Sequence, residues 1–513
     1  MGYVELRCHS AFSFRDGACT PEALVSRAAE LGYAALGLTD GADLGGIIRF
    51  ALEAERQGIR PVIGAELVVD EHPAAFLAMN AVGYRNLAGL VTRARVGEFV
   101  GGEPVGREQA SAGVERSSQS GRRGHPYEDV VVRPRGRPRV TWADVAERSE
   151  GLFALTGPAT GELAWLVRTG RPEEAAYQLG RWREVFGDRL AVEVQDHRVS
   201  GSERVLAAGL IELAERGRVR WVVTNDARYI DGRSRLVHDL WTALRHGEDV
   251  STAASRGHLL PNGEWRLKSP AEMARQWKGR EAGLEESVRI ALECDFNLRW
   301  LAPPLPRFEV PPGHDDDSYL RELVYAGARE RWGELDEAQV AQLEHELGVI
   351  RRLGFAGFFL VMWDAVRFAR ERGILCQGRG SAANSAVAYV LGITAVDPVR
   401  HGLLFERFLS EVRTDGRNEA PDIDVDFEMH RREEVLDYMY ARYGRRHAAI
   451  TCVTQVYHAP SAVQDVMRAL GYPAELAFTL SKRLHRHYPA EGAEILEKEL
   501  AARPGLNLNE PRG

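Results

Sequence analysis

Short apolar runs alternate with amphipathic segments over the first half of the chain. The apolar runs predict strands at residues 35–38, 61–63, 152–155, 190–194 and 221–224, and residues 21–31 have the spacing of a helix. Strands that alternate with helices in this way are typical of parallel βα units. We therefore expect an α/β fold, a distorted β/α barrel with its site at the carboxyl ends of the strands.

Aspartates occupy alternate positions in residues 421–427 (PDIDVDF). A strand would direct Asp422, Asp424 and Asp426 to one face and their apolar neighbours to the other. A row of like charges is costly unless a cation lies between them. The pattern indicates a divalent metal that holds a polyphosphate, as in two-metal phosphoryl transfer. A half-buried edge strand with a solvated acidic face is the alternative that so short a motif leaves open.

Residues 373–385 (GILCQGRGSAANS), followed by the apolar run 386–391, predict a strand, a glycine turn and a helix. Unpaired N–H groups and the dipole at a helix N-terminus favour phosphate. Gly378 and Gly380 allow close backbone approach, Ser381 adds a hydroxyl donor, and Arg379 adds a charged fork. Alone, this motif is compatible with an ordinary helix-capping turn. Together with the acidic strand, it predicts a triphosphate cradle that faces a metal site.

Four motifs, in this order and at these spacings, resemble the palm of bacterial C-family replicative DNA polymerases: residues 354–360 (GFAGFFL), 378–381 (GRGS), 404–409 (LFERFL) and 421–424 (PDID). Residues 376–385 are most similar to the error-prone, damage-tolerant branch of the polymerase III alpha subunit. The resemblance implies template-directed DNA synthesis from dNTPs on a primer–template, in replication and translesion repair. It implies that Asp422 and Asp424 are two of three catalytic aspartates and bind Mg²⁺. It also implies a nucleotide site formed by Gly378, Arg379, Gly380, Ser381 and Arg407.

Four further motifs resemble the polymerase and histidinol phosphatase (PHP) domain: residues 5–13 (ELRCHSAFS), 38–40 (LTD), 64–66 (GAE) and 224–226 (TND). Active members of that family bind a metal cluster, and the ligands that remain here are His9, Asp16, Glu66 and Asp226. The other expected ligand positions hold Arg7, Gly41, Pro158 and Arg228. Guanidinium groups in a cation site repel metal and pair with carboxylates. We therefore expect a degenerate, metal-free site in a scaffold domain, and the alternative is a phosphoesterase or 3′-exonuclease.

At 513 residues the chain is long enough for about three domains of roughly 100–200 residues each. The motifs and the Pro- and Gly-rich segments predict a PHP domain at 1–290, a linker at 291–318, a partial palm at 319–453 and a thumb-like helical segment at 454–513. Within the first domain, residues 97–138 are rich in Gly, Ser, Arg and Pro and are predicted to be a disordered insertion. The acidic run 315–317 is expected to cap a helix that starts near Tyr319 rather than to form another metal site. Residues at helical spacing are expected in the core: Leu323, Leu343, Leu347 and Ile350.

The formal net charge of −8 requires that any DNA contact be a local basic surface. The five scattered cysteines favour reduced thiols. No long uncharged apolar run and no basic, cleavable leader is found, so we expect a cytoplasmic protein without a membrane partner.

The resemblance implies a third catalytic aspartate beyond the thumb, followed by fingers and clamp-binding elements. The chain ends at Gly513, where the resemblance suggests that the thumb is finishing. We expect that this chain is incomplete and inactive alone, and that its partners include a complementing C-terminal chain, a sliding clamp and other replication or translesion proteins. The alternative is a non-catalytic DNA- or partner-binding remnant.

Overall fold

The computed structural model describes residues 2–96, 138–301, 305–409, 422–444, 447–451 and 453–484. The insertion predicted at 97–138 lies outside the described residues, apart from Pro138, and so does the thumb-like segment beyond residue 484. The chain divides into two compact units, Met1–Trp300 with Thr454–Gly513, and Leu301–Val453. The first division falls inside the predicted linker.

A seven-stranded sheet forms the centre of the first unit within the described residues. Its strands are β1 (Ala35–Gly41), β2 (Arg60–Val69), β3 (His72–Ala78), β4 (Arg139–Val140), β5 (Leu152–Leu155), β6 (Leu190–Val194) and β7 (Arg220–Val223). The order is β1-β2-β3-β5-β6-β7, and β4 pairs with β2. The β1–β2, β5–β6 and β6–β7 pairs are parallel, as the alternation of strands and helices predicts.

Strand β3 departs from the predicted pattern, because it runs antiparallel to both β2 and β5. A two-residue turn at Asp70 and Glu71 reverses the chain, and Asp70 has a positive φ of 52°. Aspartate tolerates this left-handed conformation better than most residues. The rule that a helix follows each strand therefore fails at this hairpin.

The N-terminal segment lies between the first and last strands of this sheet. Glu5 bridges to Leu36 in β1, and Cys8 bridges to Ala227 just after β7, both in parallel orientation. Backbone hydrogen bonds of 2.7–2.9 Å support both junctions. The segment closes the sheet into the distorted barrel that the sequence predicts, and it brings Arg7 and His9 to the carboxyl ends of the strands.

Helices cover the sheet of the first unit. They are α1 (Pro21–Glu30), α2 (Ile47–Gln57), α3 (Ala81–Val96), α4 (Trp142–Glu147), α5 (Glu162–Arg168), α6 (Pro172–Phe186), α7 (Gly201–Gly217), α8 (Gly232–His246), α9 (Val250–Ser255), α10 (Pro270–Gln276) and α11 (Ala282–Glu293). Helix α1 follows the local rules, since Thr20 accepts a hydrogen bond from Ala23 N and Pro21 occupies the first turn. It ends one residue before the predicted terminus.

The second unit is built from α12 (Asp316–Trp332), α13 (Glu337–Leu353), α14 (Ala356–Glu371), β8 (Cys376–Arg379), α15 (Ala386–Val390), β9 (Asp424–Phe427) and α16 (Arg432–Tyr443). Asp315 caps α12 through a capping box with Ser318. The helix begins at Asp316, three residues before the predicted start near Tyr319. The predicted apolar positions lie in the core: Leu343, Leu347 and Ile350 are buried, and Leu323 packs against them.

The last described elements are α17 (Ala459–Ala469) and α18 (Ala474–Arg483), which pack against each other. Helix α17 contacts α8 in the same unit, where Trp241 and Tyr457 lie with their ring centroids 5.3 Å apart. Among the described residues, no helix has the length and apolar character needed to span a membrane.

Candidate functional site

Strands β8 and β9 pair in antiparallel orientation, and β9 carries the predicted acidic motif. In its register Arg379 lies opposite Asp424, and Gln377 lies opposite Asp426. Val425 packs against the core of the second unit, so the two aspartates share the other face. The strand is shorter than predicted, because it begins at Asp424 and Asp422 precedes it in exposed, irregular backbone.

Arg379 contacts both aspartates of this strand. Its Nη1 lies 3.2 Å from Asp424 Oδ2, and its Nε donates to Asp426 Oδ1 at 3.1 Å. The side chains of Arg379, Asp424 and Asp426 are 58%, 45% and 65% exposed, respectively. The hydrogen bond to Asp426 and the charges of the nearby aspartates raise the pKa of Arg379. The arginine predicted to meet phosphate therefore lies against one predicted metal ligand, Asp424, and against Asp426 in this structure.

The glycine turn has two parts with different surroundings. The Gly378 amide donates to Ile393 O at 2.7 Å, and a Cβ at position 378 would lie 2.6 Å from the same oxygen. Glycine is therefore required here by packing within the chain. Gly380 adopts a positive φ of 69° and begins a 3₁₀ turn, Gly380–Asn384, in which Ser381 is exposed.

The expectation of unpaired N–H groups at the following helix is wrong. Glu346, buried on α13, accepts hydrogen bonds from the amides of Ala386 (2.8 Å) and Val387 (3.0 Å) and from Ser385 Oγ (2.7 Å). Burial raises the pKa of Glu346, and these hydrogen bonds act in the opposite direction. Because a carboxylate of the same chain uses these donors, the N-terminus of α15 is not open to phosphate. The exposed turn at Gly380 and Ser381 remains accessible.

Arg407 lies on a second 3₁₀ turn, Phe405–Arg407, which contacts the Gly380–Asn384 turn. Phe405 is buried, and the ring of His345 packs edge-on against it. The side chain of Arg407 is exposed. Packing of one buried aromatic residue thus brings the turn of Arg407 next to the turn of Ser381, as the predicted nucleotide site requires.

The predicted PHP site lies in the first unit, and Arg7 is at its centre. The fully buried guanidinium pairs with carboxylates from β2, β6 and the segment after β7. Its Nη1 lies 2.8 Å from Glu193 Oε2, its Nε lies 3.0 Å from Asp226 Oδ1, and its Nη2 contacts Glu66. A planar fork with five donors is well suited to three converging carboxylates.

Arg228 forms a second cationic bridge, between Asp16 and Asp226. Burial would raise the pKa of Asp226, but Arg228 and Arg7 hold it well below its ordinary value. For Asp16, burial is likewise opposed by Arg228, His9 and Arg245, which lower the pKa to about 2. Both carboxylates are therefore ionised and already paired with guanidinium groups at neutral pH.

His9 and the predicted motif residue Asp40 complete the cluster. His9 Nε2 lies 3.0 Å from Asp226 Oδ1, and its Nδ1 lies 3.1 Å from Ser13 Oγ. Asp40 accepts hydrogen bonds from Ser13 Oγ and from the backbone and hydroxyl of Ser10. Burial raises the pKa of Asp40, and these hydrogen bonds act in the opposite direction. Gly41 contributes no side chain, and its amide donates to Ser13 Oγ.

One atom each from His9, Glu66 and Asp226 lies within 4.8 Å of the others, which is a spacing that a metal ion could bridge. The same oxygens of Glu66 and Asp226, however, already bond to Arg7. A divalent ion at this point would face two guanidinium charges at hydrogen-bond range of its ligands. The residues present do not fit the metal cluster of the PHP family, although a cavity of about 1310 Å³ lies in front of them.

Two residues that organise these sites were missed from the sequence. Glu193 lies in an otherwise apolar strand (LAVEV), and Glu346 lies one turn after Leu343 on the apolar face of a helix. Each is a charged residue at a position that the period of its element predicts to be buried. That conflict was the available signal, since buried glutamates are rare unless they are paired.

Comparison with known proteins matches two families. Residues 5–197 match the PHP domain, and residues 318–508 match the bacterial DNA polymerase III alpha NTPase domain. The chain is also 39% identical to an error-prone DNA polymerase of Anaeromyxobacter dehalogenans (strain 2CP-C), over 98% of this chain and 47% of that protein. An error-prone DNA polymerase of Pseudomonas aeruginosa (strain PAO1) is 39% identical over 97% of this chain and 43% of its own length. These matches confirm the resemblance that the motifs predicted.

The chain spans about half the length of the curated relatives it matches. Among solved structures, a putative metal-dependent phosphoesterase from Bifidobacterium adolescentis aligns with 44% of this chain and 87% of its own chain. That alignment has 14% sequence identity and a TM-score of 0.28.

Proposed function

We propose that this chain, which combines the PHP domain with the alpha NTPase domain of bacterial DNA polymerase III, supplies the nucleotide-binding part of a DNA-directed DNA polymerase of the error-prone type. The reaction is template-directed transfer of a nucleotide from a dNTP to a primer 3′-hydroxyl. One observation carries the proposal: the register of β8 and β9 pairs Asp424 with Arg379, the residue immediately before the turn that contains Gly380 and Ser381.

The carboxylates of Asp422 and Asp424 would hold Mg²⁺, which lowers the pKa of the attacking hydroxyl and neutralises the leaving pyrophosphate. The donor set fits such an ion, since exposed carboxylate oxygens are ligands that Mg²⁺ prefers, and Asp422 and Asp424 lie two residues apart at the start of the acidic strand. Ser381 and the Gly380 turn would orient the phosphates, and Arg407 would offset their charge. Gly378 would fix this turn through its packing against Ile393.

The substrates in this proposal are dNTPs and primer–template DNA. The error-prone assignment is supported by the names of the relatives, and it extends to synthesis across damaged templates. Because the relatives are about twice as long, the activity in this proposal also needs the third carboxylate and the fingers that the resemblance implies beyond the matched region, and a sliding clamp is a further partner.

The test measures Mg²⁺-dependent binding of dATP to the chain, followed by primer extension with and without a polypeptide equivalent to the C-terminal half of a relative. We expect Asp424→Asn to abolish both signals. Glu433→Gln is the control, since Glu433 is an exposed carboxylate of the same unit outside the acidic strand. Equal dATP binding by the wild type and Asp424→Asn would contradict the proposal. DNA binding without any dATP binding would favour the non-catalytic alternative.

The PHP domain has a scaffold role in this proposal, and its arginines carry that part of the argument. Guanidinium groups pair with the carboxylates that a metal-dependent phosphoesterase would need. A 3′-exonuclease assay with Mn²⁺ or Zn²⁺ is expected to show no cleavage. Cleavage that is lost on His9→Ala would establish the phosphoesterase alternative.

A further inference from the structure

Arg379 is the feature of the second unit that the proposed reaction does not yet explain. It precedes the phosphate-binding turn, yet it lies across the acidic strand, within 3.2 Å of Asp424 and 3.1 Å of Asp426. Asp422 lies close enough for its charge to act on the same guanidinium. The Arg379 guanidinium thus faces Asp424, one of the carboxylates at which a divalent metal ion would bind.

The two cations cannot both use these oxygens. A metal ion held by Asp422 and Asp424 needs the oxygen lone pairs of Asp424 that Arg379 faces. Exposed guanidinium–carboxylate pairs are weak and are easily exchanged. The side chain of Arg379 is more than half exposed, so no packing holds it in place once its partners are taken.

The backbone around Arg379 favours a second position near the phosphates. Arg379 is extended (φ −130°, ψ 179°), and Gly380 turns the chain immediately after it at a positive φ. The side chain is therefore tethered one residue from Gly380 and two from Ser381. A guanidinium released from the aspartates stays within reach of any triphosphate bound at that turn.

We propose that Arg379 is an exchangeable counterion of the polymerase site. Without metal it holds Asp424 and Asp426 together against their mutual repulsion. When a divalent ion and a nucleotide bind, it leaves the carboxylates and pairs with the phosphates. This inference rests on the proposed function. It makes Arg379 a positioning residue that weakens the binding of metal alone and strengthens the binding of metal together with nucleotide.

The test uses Mn²⁺ as the probe and measures free Mn²⁺ by electron paramagnetic resonance with the full chain. Because Arg379 competes for Asp424, Arg379→Ala is expected to bind Mn²⁺ alone about two- to fivefold more tightly than the wild type, which corresponds to one exposed ion pair. The same variant is expected to bind Mn²⁺–dATP several-fold more weakly, on the order of one charge-assisted contact. Arg379→Lys, which keeps the charge and loses the fork, should lie between.

Two control variants separate the possible causes. Arg400→Ala removes an exposed arginine of the same unit and is expected to leave both affinities unchanged. An equal gain in Mn²⁺ affinity from Arg400→Ala would overturn the proposed exchange. The exchange would also be overturned if Arg379→Ala changed the affinities for Mn²⁺ and Mn²⁺–dATP in the same direction, or changed neither of them. Asp424→Ala should remove the Mn²⁺ site. Mn²⁺ binding that is unaffected by Asp424→Ala overturns the proposed metal site itself, and this inference with it.

Discussion

Replacing Arg7 with methionine tests whether a guanidinium takes the place of metal in the PHP cluster. Methionine keeps much of the volume and removes the charge. Three carboxylates, those of Glu66, Glu193 and Asp226, then lose a buried partner to which each is bonded. Since these residues come from separate strands, their repulsion acts on the closed sheet directly.

The magnitude follows from the burial of the pairs. The Arg7 side chain is 0% exposed, and those of Glu193 and Asp226 are 0% and 4% exposed. Removing one partner of a buried ion pair costs about 3–5 kcal/mol, because an uncompensated charge stays behind. At roughly 2–4 °C per kcal/mol, the midpoint of thermal unfolding of this unit should fall by about 10 °C.

Thermal and urea unfolding at pH 7, with metal chelated throughout, measures this loss. Arg171→Ala is the control, since Arg171 forms an exposed pair with Glu174 and its loss should leave the unfolding midpoint nearly unchanged. The deficit of Arg7→Met should shrink as the pH falls and the orphaned carboxylates are protonated. A loss below about 1 kcal/mol, or one independent of pH, would show that Arg7 does not balance these charges.

Further predictions concern the two sites separately. Glu346→Ala should destabilise the second unit by about 2–4 kcal/mol, because the amides of Ala386 and Val387 lose a buried acceptor; hydrogen exchange should show lost protection at both amides, and unchanged exchange would contradict it. Asp16, with a pKa of about 2, stabilises the fold above its unfolded pKa of about 4, and that contribution of about 2 kcal/mol is lost as the pH falls from 4 to 2. Asp16→Asn should reduce the slope of unfolding free energy against pH over this interval, measured by urea unfolding, and a slope equal to that of the wild type would refute the assignment. The steep acid dependence that remains in Asp16→Asn is expected to come from Asp226.

Features that depend on neighbours in sequence were predictable. Strands β5 and β6 match their apolar runs residue for residue, since a strand that is buried on both faces has apolar side chains at consecutive positions. The shared face of Asp424 and Asp426 followed from strand parity alone. The N-cap at Asp315 followed from side-chain chemistry, although its helix began three residues early.

Features that depend on distant partners were not predictable. Glu346 reaches the amides of Ala386 and Val387 from 40 and 41 residues away, so a helix start that looked open in sequence is closed in three dimensions. The residues around Arg379 in sequence do not indicate that it pairs with aspartates of β9, because the register between β8 and β9 is set by folding. The site motifs could be identified from the sequence, but the partners of their charged side chains could not.

The position of the N-terminal segment between the first and last strands has a consequence for biosynthesis. Arg7 and Asp226 are 219 residues apart, yet they are bonded to each other. During translation the segment can pair with β1 early, but its bridge to Ala227 and the Arg7–Asp226 ion pair cannot form until β7 has left the ribosome. Contacts over such separations form slowly. The barrel of the first unit can therefore close only after β7 and the segment that follows it have been synthesised.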